Sequence, residues 1–147
     1  MNHFSIEELT FSERARAQGI DNTPTPEALE NLKALMAGLE DVRALLGKPM
    51  LISSGYRCPE LNKAIGGAKK SAHVDGFAAD FTCPQFGTAS KVVKAIAAIG
   101  IKFDQCIFED MGSRWVHISF APAMRQQVLT INKRGTFVGV LTGPNGG

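Results

Sequence analysis

Three residues of the chain have the types needed for a metal site: His73, Asp80 and His117. Two imidazoles and one carboxylate supply three ligands to a tetrahedral Zn²⁺, and a catalytic zinc site leaves its fourth position to water, whose pKa falls to about 7. This ligand set therefore favours hydrolysis over structural zinc. The spacing alone is not specific, because a single histidine beside apolar neighbours is more often a packed or surface residue than a ligand.

The elements predicted around these residues bring them together. Side chains alternate between the two faces of a strand, so His117 lies opposite an apolar face that can pack on helices. On the preceding predicted strand, the same alternation lets Asp80 face the cleft that His117 faces. His73 then has to come from the loop before that strand, where Gly76 relaxes the backbone and lets the imidazole turn toward the metal.

Hydrophobic periodicity and capping residues predict an α+β fold, with a central antiparallel sheet packed by helices on one face. The predicted helical segments are short turns capped at Ser5 and Thr10, a long helix from Pro26 after the N-cap Thr25 to Gly47, one or two turns over residues 59–65, and a helix from Thr88 to Gly100. The predicted strands cover residues 50–52, 78–83, 105–109 and 115–120, with a final hairpin over residues 128–132 and 136–141.

Length and composition indicate one globular domain over residues 1–147. The chain is 44% hydrophobic and 20% charged, and it lacks repeats and low-complexity tracts, which is typical of a folded domain. We expect a core over about residues 2–125, followed by a C-terminal hairpin and tail over residues 126–147. We also expect a monomer.

Charge and cysteine usage argue against several classes of protein. The net charge is +2, and the scattered Lys and Arg residues form no basic stripe of the kind that binds nucleic acid. Cys58, Cys83 and Cys106 lack Cys-x-x-Cys spacing, which argues against a disulfide framework and a cysteine zinc cluster. The sequence has neither a signal peptide nor an apolar run long enough to span a membrane, so we expect a cytoplasmic protein.

Several motifs occur in the order found in one enzyme family. Ser71-Ala72-His73 continues through Gly76 and Ala78 to Asp80, and Trp115-Val116-His117-Ile118-Ser119 follows downstream. Together these motifs resemble the signature of the zinc D-Ala-D-Ala carboxypeptidase superfamily, whose members cut the stem peptides of peptidoglycan. The chain is similar to the small phage-encoded branch in four further segments, which are Ile52 to Arg57, Leu61-Asn62, Gly66-Gly67-Ala68, and Phe103-Asp104-Gln105 with Glu109. The resemblance covers about residues 2–125. It implies the hedgehog/DD-peptidase fold, one Zn²⁺ per chain and a peptidoglycan stem peptide or crosslink as the substrate.

A zinc peptidase also needs a base that takes a proton from water and passes it to the leaving amine. Glu109 is the first candidate, because it lies on the strand predicted to pair with the His117 strand. Asp104 and Asp110 are the alternatives, and each of these acids could instead be a solvated side chain at a hairpin end. In better-known relatives a glutamate stands three residues before the second histidine, where this chain has Arg114.

Three further residues are candidates for contact with the substrate. Arg57 matches the family position whose guanidinium stabilises the developing oxyanion or holds a carboxylate, and structural pairing with a surface acid is the alternative. Ser71 resembles the family serine that helps to bind substrate, although a serine in a glycine-rich loop is often a turn residue. Trp115 could flank the substrate groove or be a buried aromatic side chain beside the metal.

The leading hypothesis is a zinc-dependent peptidase that hydrolyses peptide bonds in peptidoglycan, either as a carboxypeptidase or as an endopeptidase, with a phage endolysin as the biological setting. The resemblance implies that such an enzyme stays in the host cytoplasm until another protein permeabilises the membrane. Arg114 favours a second hypothesis, a domain of the same fold that binds zinc without catalysis and acts as a virion component or interaction module. A third hypothesis, a cytoplasmic dipeptidase acting on D-Ala-D-Ala, requires a more enclosed pocket.

Overall fold

The computed structural model describes residues 2–142, which form an α+β domain with a six-stranded mixed sheet. The helices are α1 (Ile6–Thr10), α2 (Glu13–Gln18), α3 (Pro26–Leu46), α4 (Pro59–Ala64), α5 (Ala72–Asp75) and α6 (Ala89–Ile99). The strands are β1 (Leu51–Ser54), β2 (Ala78–Thr82), β3 (Gln105–Met111), β4 (Ser113–Ser119), β5 (Gln127–Asn132) and β6 (Gly135–Val138). The predicted α+β class is confirmed, and the end of the predicted tail, residues 143–147, lies outside the described residues.

The longest helix, α3, forms where the sequence predicts it. The Thr25 hydroxyl accepts a hydrogen bond from the Ala28 N–H, Pro26 occupies the first turn, and Gly47 ends the helix with φ 66°. Glycine adopts this left-handed conformation without the steric cost of a Cβ atom. The apolar stripe of α3 is buried in the core and includes Leu32, Leu35, Leu39 and Val42.

The predicted start of the second helix is wrong by two residues. The N-cap of α2 is Ser12, whose hydroxyl accepts a hydrogen bond from the Ala15 N–H at 3.1 Å. Thr10 is instead the last residue of α1, and its hydroxyl donates to the Ile6 carbonyl at 2.8 Å. Because this side chain bonds back to the preceding turn, it does not cap the next helix.

The strand order in the sheet is β1-β2-β4-β3-β5-β6. Among the described strands, neighbours are antiparallel except β3 and β5, which pair in parallel with Gln105 opposite Gln127. The prediction of an antiparallel sheet is therefore wrong at this pair. The cause is the connection over residues 120–126, which carries the chain from the end of β4 past the start of β3, so β5 runs in the direction of β3.

The two faces of the sheet have different surroundings. One face joins α3 and α6 in the hydrophobic core, and its fully buried side chains include Phe81, Phe108, Val116 and Ile118. The opposite face carries Asp80, Glu109 and His117 and lines an open cleft. The alternation of the strands thus separates the residues that stabilise the fold from those available for chemistry.

Two sequence expectations concern features outside the cleft. Within residues 2–142, no helix combines the length and the apolar character that crossing a membrane requires. Cys58, Cys83 and Cys106 are buried free thiols, which is the common state of structural cysteines in a core.

Candidate metal centre and cleft

Two strands and one short helix position the three candidate ligands. Asp80 on β2 lies directly opposite His117 on β4 in the antiparallel register, so both side chains point to the same face of the sheet. His73 lies on α5, and its prediction as a loop residue is wrong. The Ser71 hydroxyl caps this four-residue helix, and Gly76 ends it with φ 83°. A single turn is too short to show helical periodicity in the sequence.

The ligand atoms of these residues lie within 4.8 Å of one another. Asp80 Oδ1 is 3.0 Å from His117 Nδ1 and 3.2 Å from His73 Nε2. In a tetrahedral site with bonds of 2.0–2.1 Å, neighbouring ligand atoms are separated by about 3.3 Å. The spacing of the three donors therefore fits one zinc ion after small adjustments.

The tautomer of His73 supports the same conclusion. Its Nδ1 lies 2.7 Å from the Gly55 carbonyl oxygen, which can only accept, so Nδ1 carries the proton. Burial lowers the pKa of His73, which favours the neutral imidazole, and Nε2 then presents a lone pair to the Asp80 carboxylate. Two acceptors at this distance repel each other unless a cation lies between them. A backbone carbonyl that orients a histidine in this way is typical of metal sites.

Gly55 makes this orientation possible through a close backbone contact. A Cβ atom at this position would lie 2.2 Å from the Leu9 carbonyl oxygen. The Tyr56 N–H also donates to this oxygen at 2.7 Å. Glycine is thus required for the chain to pass the end of α1 while its own carbonyl faces His73.

The Asp80 carboxylate is charged in this environment. Burial disfavours the charge, but the contacts with the His117 and His73 imidazoles outweigh this effect and hold the pKa of Asp80 well below its ordinary value. Arg57 Nη2 lies 3.5 Å from the second carboxylate oxygen, Oδ2. Asp80 therefore offers an anionic oxygen to a metal while its other oxygen faces a cation.

Ser54 and Asn62, which have no predicted role, hold the Arg57 guanidinium. Ser54 Oγ accepts a hydrogen bond from Nε, and Asn62 Oδ1 accepts one from Nη1, both at 3.2 Å. Asn62 is itself fixed, because its amide donates to the Ala68 carbonyl at 2.9 Å. A Cβ atom on Gly67 would lie 2.1 Å from Asn62 Oδ1, so this glycine leaves room for the Asn62 side chain that supports Arg57.

Glu109 faces the same cleft from β3, as its predicted strand position requires. It lies opposite Trp115, whose indole Nε1–H donates to Glu109 Oε2 at 2.9 Å. Burial and the negative charge of Asp80 raise the pKa of Glu109. A carboxylate with a raised pKa is a better proton acceptor near neutral pH. The sequence predicts Trp115 either in the groove wall or beside the metal, but it does not reveal this hydrogen bond to Glu109.

The other acids considered as bases lie in ion pairs. Asp104 accepts two hydrogen bonds from the Arg125 guanidinium at 2.8 Å. Hydrogen bonding to Arg125, which outweighs the effect of burial, lowers the pKa of Asp104. Asp110 pairs with Arg114 at 3.3 Å near the tip of the β3–β4 hairpin. Arg114, three residues before His117, therefore pairs with Asp110 and does not line the cleft.

The cleft that contains these groups has a volume of about 630 Å³. Its lining includes His73, Asp80, His117, Arg57, Glu109 and Trp115. Ser71 also lines the cleft, and its hydroxyl accepts a hydrogen bond from the His73 N–H at 3.2 Å while retaining its own proton. The arrangement combines a ligand set for zinc, a proton acceptor and a cation on one open surface, which are the parts needed for metal-assisted hydrolysis.

Comparisons with known proteins agree with this arrangement. The family model described as peptidase M15 matches residues 2–119. This family is the zinc D-Ala-D-Ala carboxypeptidase superfamily that the motifs resemble, so the resemblance is confirmed over most of the chain. A comparison with curated proteins gives no match.

Proposed function

The chain belongs to the peptidase M15 family, and on this premise we propose that it is a zinc-dependent peptidase that hydrolyses peptide bonds in bacterial peptidoglycan. The observation that carries the proposal is the contact between His73 Nε2 and Asp80 Oδ1 at 3.2 Å, with His117 Nδ1 3.0 Å from the same oxygen. These donors match the nitrogen and oxygen ligands that zinc prefers. His73, Asp80 and His117 are the proposed ligands of one zinc ion per chain.

The protein side chains and the metal have separate tasks in the proposed reaction. When bound, zinc supplies Lewis acidity and brings the pKa of water into the neutral range. Glu109 accepts the proton of the attacking water at Oε1, because Oε2 is held by the Trp115 indole. Glu109 then donates this proton to the leaving amine, so one carboxylate serves as base and as acid.

Arg57 stabilises the substrate carbonyl oxygen as it gains negative charge. Its guanidinium is held by Ser54 and Asn62, so little reorganisation is needed when the charge develops. The Ser71 hydroxyl donates a hydrogen bond to the substrate, and Trp115 forms part of the groove wall while it orients Glu109. Arg57, Ser71, Glu109 and Trp115, which come from four separate parts of the chain, thus act on one scissile bond in the cleft.

The substrate and the biological setting follow from the family resemblance. The proposed substrate is a stem peptide or crosslink, which the open cleft can accept without enclosing it, and this shape does not favour a dipeptidase for free D-Ala-D-Ala. The proposed setting is a phage endolysin that remains in the host cytoplasm as a monomer until the membrane is permeabilised.

Digestion of purified peptidoglycan tests this function. The zinc-loaded protein is incubated with peptidoglycan with and without a chelator, and the released fragments are identified by mass analysis. We expect new peptide termini that the chelator abolishes and that added zinc restores. Cleavage that persists in a strong chelator after prolonged incubation would exclude the zinc mechanism.

Arg114 supports a second candidate, a zinc-binding module without catalysis. The residue stands where better-known relatives have their glutamate base, and it pairs with Asp110 instead of entering the cleft. The same digestion separates the two functions. A protein that binds one zinc ion and leaves peptidoglycan intact would be a binding module, whereas new termini would assign the base to Glu109 or another acid of the cleft.

A further inference from the structure

The connection between β4 and β5, residues 120–126, forms one wall of the cleft. We call these residues the strap. The Gln126 N–H donates to the Phe103 carbonyl at 3.1 Å, and the Phe103 N–H donates to the Gln126 side-chain oxygen at 3.2 Å. The Arg125 N–H donates to Asp104 Oδ1 at 3.0 Å. The strap is therefore fastened to the segment before β3.

Two strap residues adopt a backbone conformation that side chains disfavour. Met124 has φ 42° and Gln126 has φ 57°. Non-glycine residues persist in the left-handed region only where their surroundings hold them there, and such residues cluster at active sites and ligand clamps. The residue held between them is Arg125.

The Arg125 guanidinium is anchored and still has donors to offer. Nε and Nη2 donate to the two carboxylate oxygens of Asp104. A guanidinium has five N–H donors, so the fork formed by Nη1 and the second N–H of Nη2 has no partner among residues 2–142. The Arg125 side chain is 49% exposed and that of Asp104 is 3% exposed. A group entering the cleft therefore meets the cation before the carboxylate.

The register of the sheet locates this cation relative to the candidate ligands. Asp104 lies three residues before Ile107, which is opposite His117. At 3.3 Å per residue, the Asp104 backbone lies about 10 Å from the His117 row along the direction of β3. Glu109 lies on the other side of that row. An extended peptide with its scissile bond at the ligands therefore brings a group two or three residues away to Arg125.

We propose that Arg125 is a specificity-determining residue that binds a carboxylate of the substrate peptide two or three residues from the bond that is cut. This proposal rests on the proposed peptidase function. The free fork of Arg125 matches the two oxygens of a carboxylate. Lys70 also lines the cleft and adds positive charge, since it has no ion-pair partner among the described residues. The favoured substrate is an acidic peptide, and a carboxamide at the same position loses the charge-assisted contact.

A matched pair of peptides tests the proposal. Mass analysis of digested peptidoglycan first identifies the bond that is cut, and two synthetic peptides around this bond then differ only in a carboxylate or a carboxamide at the position in question. For the zinc-loaded wild-type protein we expect kcat/KM to favour the carboxylate peptide by roughly tenfold, a value toward the low end for contacts with charged groups because Arg125 is half exposed.

Variants of Arg125 and of Arg114, each of which pairs with an aspartate, distinguish substrate recognition from a structural role. Arg125→Gln should reduce the preference to near unity, and Arg125→Lys, which keeps the charge, should retain part of it. Arg114→Gln is the matched control, because Arg114 is also 49% exposed and paired with an aspartate but does not line the cleft. This control should keep the wild-type preference.

Each remaining outcome has a separate meaning. Equal cleavage of both peptides by the wild-type protein would overturn the proposal while leaving the peptidase function intact. An Arg125→Gln variant that slows both peptides equally and keeps the preference would show that Arg125 only fastens the strap. If the zinc-loaded wild-type protein cuts neither these peptides nor peptidoglycan, the proposed function itself fails, and the specificity assigned to Arg125 fails with it.

Discussion

Replacing Trp115 by phenylalanine is expected to move the acidic limb of the pH–rate profile to higher pH. The Trp115 indole N–H donates to Glu109 Oε2 at 2.9 Å, and this hydrogen bond opposes the increase in the pKa of Glu109 that burial and Asp80 cause. Phenylalanine keeps an aromatic ring in the groove wall and removes the donor. The charged form of Glu109 then loses a stabilising contact, so its pKa increases further.

The size of this shift follows from the contact. A hydrogen bond to a charged group contributes about 1.5–3 kcal/mol, and the half-buried positions of Glu109 and Trp115 favour the lower end. One pKa unit corresponds to about 1.4 kcal/mol, so the acidic limb should move upward by about one unit. Because the base must be deprotonated, activity below the limb should fall by about tenfold at a given pH, whereas activity on the plateau should change much less.

The measurement is kcat/KM as a function of pH for the zinc-loaded proteins. Zinc content should be the same in both proteins, because Trp115 is not a proposed ligand. Trp115→Phe introduced into a Glu109→Gln background should cause little further loss, since the residue that it acts through is already absent. An acidic limb that stays at the wild-type position would refute the role of Trp115 and would argue against Glu109 as the group that titrates.

Three further substitutions test other parts of the account. Glu109→Gln should keep zinc and fold but lower kcat by about 10²–10⁴-fold, because the amide cannot accept a proton; a near-normal rate would exclude Glu109 as the base. Arg57→Lys should lower kcat by about 100-fold, equivalent to about 3 kcal/mol of lost transition-state stabilisation, whereas an increase in KM alone would indicate that Arg57 binds a carboxylate in the ground state. Asp104→Asn should cost about 1–2 kcal/mol of unfolding free energy at neutral pH. Because Asp104 has a lowered pKa in the folded protein, its contribution is present above the pKa of the unfolded state and is lost as pH falls through the folded-state value. Thermal unfolding should therefore show a difference from wild type at pH 7 that disappears in strong acid, and a difference independent of pH would contradict this role.

Local patterns in the sequence were sufficient to predict the parts of the site that lie on strands. Alternation placed Asp80 and His117 on one face, and the structure has them directly opposite each other. Capping residues predicted α3 and α6, because the N-cap hydroxyls of Thr25 and Thr88 act within one helical turn. These features depend on neighbours in the chain, which a sequence displays directly.

Features that depend on distant segments were not predictable in this way. The parallel pairing of β3 with β5 depends on where residues 120–126 cross the sheet, and strand patterns do not encode that path. The hydrogen bond from Trp115 to Glu109 requires the register between two strands. The contact of His73 with the Gly55 carbonyl joins residues 18 positions apart through a close backbone approach, and its only signal in the sequence was a glycine.

The central claim is that His73, Asp80 and His117 together hold one zinc ion, and the zinc content of purified variants tests it most directly. His117→Ala removes a proposed ligand, whereas His3→Ala is a control in which the histidine pairs with Glu40 away from the cleft. After equal exposure to zinc and removal of free metal, the wild-type and His3→Ala proteins should each contain about one zinc ion per chain, and His117→Ala should have lost most of it. Full zinc occupancy in a folded His117→Ala protein would contradict the ligand set and, with it, the proposed mechanism.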